Sequence, residues 1–179
     1  MTQRQTPAIS PGDWLASSLR HPDTAHRHWY DEGRPALLPT GVLFDAVRMP
    51  LGLVHAAVGS DRPAVVSGAL AGRLDGPVIS ETAWYYALVP PRTTETWGSP
   101  LAVVRGRGAW LVVPRVDWAG PRPVGPHWAV RVERAGKLCA PDAVAELLRV
   151  GRDRYEGPAP AGPARPLDAH DARTGSETR

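Results

Sequence analysis

Short apolar runs bounded by glycine and proline recur along this chain and predict β-strands. The clearest are residues 83–90 and 109–114, which are rich in aromatic and β-branched residues and both end in Val-Pro. Together they predict a strand–turn–strand unit over residues 82–116. Further strands are predicted at residues 36–39, 41–50, 78–79 and 127–133, the first two meeting at Thr40-Gly41.

Apolar residues at helical spacing predict helices around these strands. Two short helices are predicted near the N-terminus, one after Pro11 and one from Pro22 to about Gly33. Further helices are predicted at residues 51–58, 65–74 and 141–150, with Gly59 ending the first and Gly151 the last. The order of elements predicts an α+β fold with a mainly antiparallel sheet and flanking helices.

The chain of 179 residues, 42% of them hydrophobic, is sufficient for one folded domain. Residues 1–9 are interpreted as a flexible lead, 10–155 as the domain, and 156–179, dense in proline, alanine and charge, as a disordered tail. Cys139 is the only cysteine, which excludes an intrachain disulfide. No segment approaches the ~20 apolar residues of a membrane span. A cytoplasmic location without a membrane partner is therefore predicted.

The charge pattern favours an anionic partner only weakly. The net charge is +3 with a pI near 9.5, and all basic residues but Lys137 are arginine. Abundant arginine beside alanine, glycine and proline is also typical of GC-rich coding, so the count alone says little. More specific is Arg105-Gly106-Arg107-Gly108, which places two guanidinium groups on a turn whose glycines allow close approach of a ligand.

Two other polar features have both a chemical and a structural interpretation. Asp45 lies among apolar residues, so it is either a metal or cation partner or a structural acid paired locally. The histidines at 21, 26 and 28 do not share one helical face, which favours a solvated helix surface over a metal site. The sequence contains no Walker A, GxGxxG, HExxH or GxSxG motif.

The order of helices and strands, the segment Asp13-Trp14-Leu15-Ala16, and the segment 104–114 (VRGRGAWLVVP) resemble one known family. This is the bifunctional DNA primase/polymerase N-terminal domain, in particular its short, divergent actinobacterial members. The resemblance covers about residues 13–150. It implies a primase/polymerase-like α+β fold and a role in replication or nucleic-acid metabolism.

The resemblance also implies that catalysis is lost. Polymerases of this superfamily hold two divalent cations with several carboxylates, and a histidine contacts the nucleotide phosphates. Asp45 matches the first acid, whereas Val47 and Val103 replace the other acids and Trp84 replaces the histidine. One carboxylate cannot clamp two metal ions. We therefore expect a degenerate site without metal or other cofactor, its replaced positions packed as apolar core.

The expected function is binding of DNA or a nucleotide. Arg48, Arg105 and Arg107 are the candidate phosphate contacts, and Trp84 and Tyr86 the candidate base contacts. Asp45 is the only candidate catalytic residue.

Two alternatives stay open. The first is a non-enzymatic scaffold whose aromatic residues bind a protein partner. The second is an active nucleotidyltransferase dependent on Mg²⁺ or Mn²⁺ and built from other acids, such as Asp31, Glu32, Asp75 or Glu81.

Overall fold

A computed structural model describes residues 8–155. The α-helices are α1 (Pro11–Ala16), α2 (Asp23–His26), α3 (Leu51–Val58), α4 (Pro63–Leu74) and α5 (Pro141–Arg154). The strands are β1 (Ala36–Pro39), β2 (Asp45–Pro50), β3 (Val78–Ser80), β4 (Trp84–Val89), β5 (Val103–Arg105), β6 (Trp110–Val113) and β7 (His127–Val130). A π-helical turn, Arg27–Asp31, continues α2, and a 3₁₀ turn spans Thr93–Glu95. The predicted α+β class with a mainly antiparallel sheet is confirmed.

The strands form two sheets rather than one. Five strands pair antiparallel in the order β5-β2-β4-β3-β7, and β1 pairs with β6 in a separate two-stranded sheet, the β1–β6 ribbon. The predicted strand–turn–strand unit over 82–116 is therefore wrong, because β4 lies at the centre of the large sheet and β6 in the ribbon. The Arg105–Gly108 turn instead carries the chain from β5, an edge strand, into the ribbon.

The large sheet is buried on both faces. Its ribbon face, which includes Ala46 and Leu88, packs against α1, the π-helical turn and the ribbon in a core that contains Trp29. Its helix face, which includes Val47 and Ala87, packs against α3, α4 and α5. The β2–β4 register fixes this division, since paired residues in antiparallel strands point to the same face.

Several predicted boundaries differ from the structure. Gly59, in the left-handed region at φ 77°, ends α3 as predicted. Gly151 does not end α5, which continues to Arg154. A Cβ at Gly151 would overlap the carbonyl oxygen of Leu53 in α3, so this glycine permits close packing of two helices. The strand predicted at 41–50 begins only at Asp45, and that at 127–133 ends at Val130.

Most of the predicted lead, residues 1–7, and the whole predicted tail, residues 156–179, lie outside the described residues. From residue 8 to residue 155, no helix combines the length and the apolarity needed to cross a bilayer.

Candidate functional site

An open cleft of about 660 Å³ lies at the β5 edge of the large sheet, beside the Arg105–Gly108 turn. Three of its lining residues are Arg48, Arg105 and Arg107. We call it the arginine cleft. The structure thus brings together the three arginines that the sequence predicted as phosphate contacts.

Strand register explains this convergence. Arg48 in β2 lies opposite Tyr86 of β4 and Val103 of β5, and Arg105 lies opposite Ala46 of β2. All of these side chains belong to the ribbon face of the sheet. Arg107 reaches the same cleft from the turn rather than from a strand.

Among the residues that the structure describes, the three cleft arginines lack the acidic partner that several other arginines have. Arg92, Arg115 and Arg149 each form an ion pair with a neighbouring acid. Within residues 8–155, no carboxylate forms an ion pair with Arg48, Arg105 or Arg107. The Nε of Arg48 is in addition buried without a hydrogen-bond partner. Guanidinium groups without carboxylate partners around one opening favour an anion there.

The two predicted base contacts lie near Arg48 on the ribbon face of the sheet. The guanidinium of Arg48 stacks on the Trp84 ring, 4.4 Å from the ring centroid, a cation–π contact that positions Arg48. Tyr86 is only 7% exposed. Burial raises the pKa of the Tyr86 hydroxyl, the charge of Glu81 raises this pKa further, and Arg105 lowers it. A base therefore meets almost no surface of Tyr86, and only the part of Trp84 that Arg48 and the core leave uncovered.

A residue that the sequence did not single out, Thr40, fixes the Arg105–Gly108 turn. The buried Thr40 hydroxyl donates to the carbonyl oxygen of Gly106 (2.6 Å), and the Thr40 N–H donates to the carbonyl oxygen of Ala109 (3.0 Å). Gly106 packs so closely that a Cβ there would lie 2.6 Å from Cγ2 of Thr94. The turn is thereby held in one conformation. The sequence around Thr40 carries no signal for hydrogen bonds to residues more than 60 positions away in the chain.

Asp45, the only candidate catalytic residue, is fully buried behind Gly106. Its Oδ2 accepts a hydrogen bond from the Thr94 N–H (3.2 Å), whereas its Oδ1 is buried without a partner. Burial raises the pKa of the Asp45 carboxyl, and backbone hydrogen bonds, that of Thr94 first, oppose the rise only in part. With no exposed surface, Asp45 cannot contact a ligand in this structure. Its contacts are those of a structural acid beneath the turn.

The four positions that the family resemblance assigns to the polymerase site do not converge. Asp45 and Val47 belong to the helix face, whereas Trp84 and Val103 belong to the ribbon face. The expectation that the replaced positions form apolar core holds for Val47, which is fully buried. It is wrong for Val103, which is 57% exposed.

The N-terminal histidines show no clustering with other potential metal ligands. Within residues 8–155, no three His, Cys, Asp or Glu side chains lie close enough together to hold a metal ion. His26 instead contacts Asp13, with 3.2 Å between Nε2 and Oδ1, and its ring stacks on Tyr30.

Comparisons of the chain with protein-family models, curated proteins and solved structures found no match. The resemblance to the primase/polymerase domain thus stays a prediction, and the geometry of the arginine cleft is the basis for a functional proposal.

Proposed function

We propose that this protein binds the phosphate groups of a nucleic acid or nucleotide in the arginine cleft and does not itself catalyse nucleotidyl transfer. The observation that carries the proposal is the convergence of Arg48, Arg105 and Arg107 on one open cleft without carboxylate partners. The planar guanidinium fork matches the oxygen atoms of a phosphate group and stays charged at any physiological pH.

The surroundings of the cleft support binding without catalysis. Two-metal phosphoryl transfer needs several carboxylates that reach the reacting phosphate. In the described part of the chain, none of the residues that line the cleft is acidic. Asp45 is the one acid that matches the family's metal-binding pattern, and it is enclosed by Gly106 and Thr94.

Binding to a fluorescently labelled single-stranded oligonucleotide, followed by anisotropy across a salt series, tests this proposal. We expect the affinity of the wild-type protein to fall steeply with salt. In the double variant Arg105→Ala/Arg107→Ala, the slope of log K against log[salt] should be smaller by about 1.4, or about 0.7 for each lost contact to a single-strand phosphate.

The matched control is Arg149→Ala/Arg152→Ala, which removes the same charge from α5, on the helix face of the sheet. These arginines pair with Glu146 and Asp153 and do not line the cleft. We expect the salt slope of this variant to stay close to that of the wild type. Absence of wild-type binding at low salt, or an equal loss in both double variants, would contradict the proposed function.

A further inference from the structure

The β1–β6 ribbon presents an apolar outer surface. Along β6, Trp110 and Val112 are exposed while Leu111 and Val113 are buried in the core. The β1–β6 register places Leu37 opposite Val112 and Pro39 opposite Trp110. These four residues therefore share the outer face, and we call them the Trp110 patch. Trp110 is 50% exposed, so a large part of its indole is accessible to a ligand.

The Trp110 patch begins where the arginine cleft ends. Trp110 directly follows Ala109, a lining residue of the cleft. It is three residues from Arg107, so their Cα atoms lie no more than about 11 Å apart. The hydrogen bonds from Thr40 to Gly106 and Ala109 join the end of β1 to the same turn. Cleft and patch thus lie next to each other along the chain, on the two sides of a turn that Thr40 holds in place.

We propose that this combined surface binds a single-stranded nucleic acid, with its backbone phosphates in the arginine cleft and a base stacked on Trp110. This inference rests on the proposed function and adds to it the class of ligand and a contact residue. Unpaired arginines beside an exposed aromatic ring are the combination that single-strand binding uses, because every unpaired base has a π-face. A duplex keeps its bases stacked inside and has no such face to offer.

The unpaired charges favour this occupant over a protein surface. A protein docked on the Trp110 patch would bring the adjoining Arg105 and Arg107 near its own surface, where it would have to supply matching carboxylates. A single strand supplies a phosphate with every nucleotide and a stackable base beside it. One ligand then supplies both the anionic groups for the arginines and an apolar ring for the Trp110 patch.

A binding cycle with two ligands and three protein variants tests the inference. The ligands are a thymidine octamer and an abasic octamer with the same number of phosphates; affinities come from anisotropy at one low salt concentration. We expect the wild type to bind the thymidine octamer about tenfold more tightly than the abasic one. Trp110→Ala should bind both equally, and Trp110→Phe should keep part of the preference. Arg105→Ala/Arg107→Ala should weaken both and keep their ratio.

The outcomes separate this inference from the proposed function. If the wild type binds neither octamer, both fall. If it binds both equally, or if Trp110→Ala keeps the preference, the base contact at Trp110 is wrong while phosphate binding stands. A wild-type dimer in gel filtration that Trp110→Ala makes monomeric, without any preference for bases, would identify the patch as an interface between copies. Circular dichroism serves as the control for folding. We expect the Trp110 variants to stay folded, because the Trp110 side chain is half-exposed.

Discussion

Replacement of Gly151 by alanine is expected to lower the free energy of unfolding by about 2–3 kcal/mol. A Cβ at this position would overlap the Leu53 carbonyl oxygen, which is backbone and cannot rotate away. α3 and α5 would have to separate, and the apolar contacts between these helices, which cover the helix face of the sheet, would loosen. Urea denaturation followed by circular dichroism measures the change.

The same substitution at Gly68, in the middle of α4, is the matched control. Gly68 is exposed, and no atom lies within 4 Å of a Cβ built there. Gly68→Ala should therefore raise the free energy of unfolding by about 0.5–1 kcal/mol, since alanine favours a helix more than glycine does. If Gly151→Ala were as stable as the wild type, the close α3–α5 contact would be wrong.

This pair of glycines also shows what the sequence could not predict. Gly59 and Gly151 each follow an apolar run at helical spacing, and this pattern predicts that each glycine ends a helix. Gly59 does so, because nothing packs against it and its backbone is left-handed. Gly151 stays helical, because the backbone of α3 lies against it. The deciding contact is with a residue far away in the chain, which local pattern does not encode.

The strands were predictable and their pairing was not. Residues 83–90 and 109–114 have the same kind of composition, yet β4 is covered on both faces and β6 on one. Because Trp110 and Val112 are as apolar as Leu111 and Val113, the one-sided burial of β6 is invisible in the hydrophobic pattern. The exposure of the outer face of the ribbon could therefore not be predicted from the sequence.

The arginines that line the cleft could be predicted as a group, whereas the exposure of the aromatic residues could not. Arg105 and Arg107 stand in a Gly-rich turn, which is a local signal, and Arg48 reaches them through strand register. Whether a tryptophan is open to a ligand depends on its neighbours in space. Trp84 lies under Arg48, whereas Trp110 is exposed.

Replacement of Asp45 by asparagine is expected to raise the free energy of unfolding at neutral pH by about 1–3 kcal/mol, because a buried, partly unsatisfied charge is removed. The side-chain carbonyl of asparagine can still accept the Thr94 N–H. The gain should depend on pH, since the pKa of Asp45 in the folded protein lies above its ordinary value of 3.8. Between these two pKa values the folded state binds a proton that the unfolded state does not. Acid therefore stabilises the wild type relative to Asp45→Asn.

Urea denaturation of both proteins between neutral pH and pH values below 3.8 checks this expectation. The advantage of Asp45→Asn should be complete above the folded pKa of Asp45, shrink as the pH falls through it, and vanish below 3.8. Asp31→Asn, the same substitution at an exposed acid, is the control for the change of residue type. A destabilised Asp45→Asn at neutral pH would mean that the carboxylate is stabilised by contacts beyond the Thr94 N–H. Primer extension with Mg²⁺ or Mn²⁺ that Asp45→Asn abolishes would contradict the proposal that the protein does not catalyse nucleotidyl transfer. If Asp45 is a structural acid, Asp45→Asn should gain stability and no reaction should be lost. If Asp45 is catalytic, the variant should lose the primer-extension reaction.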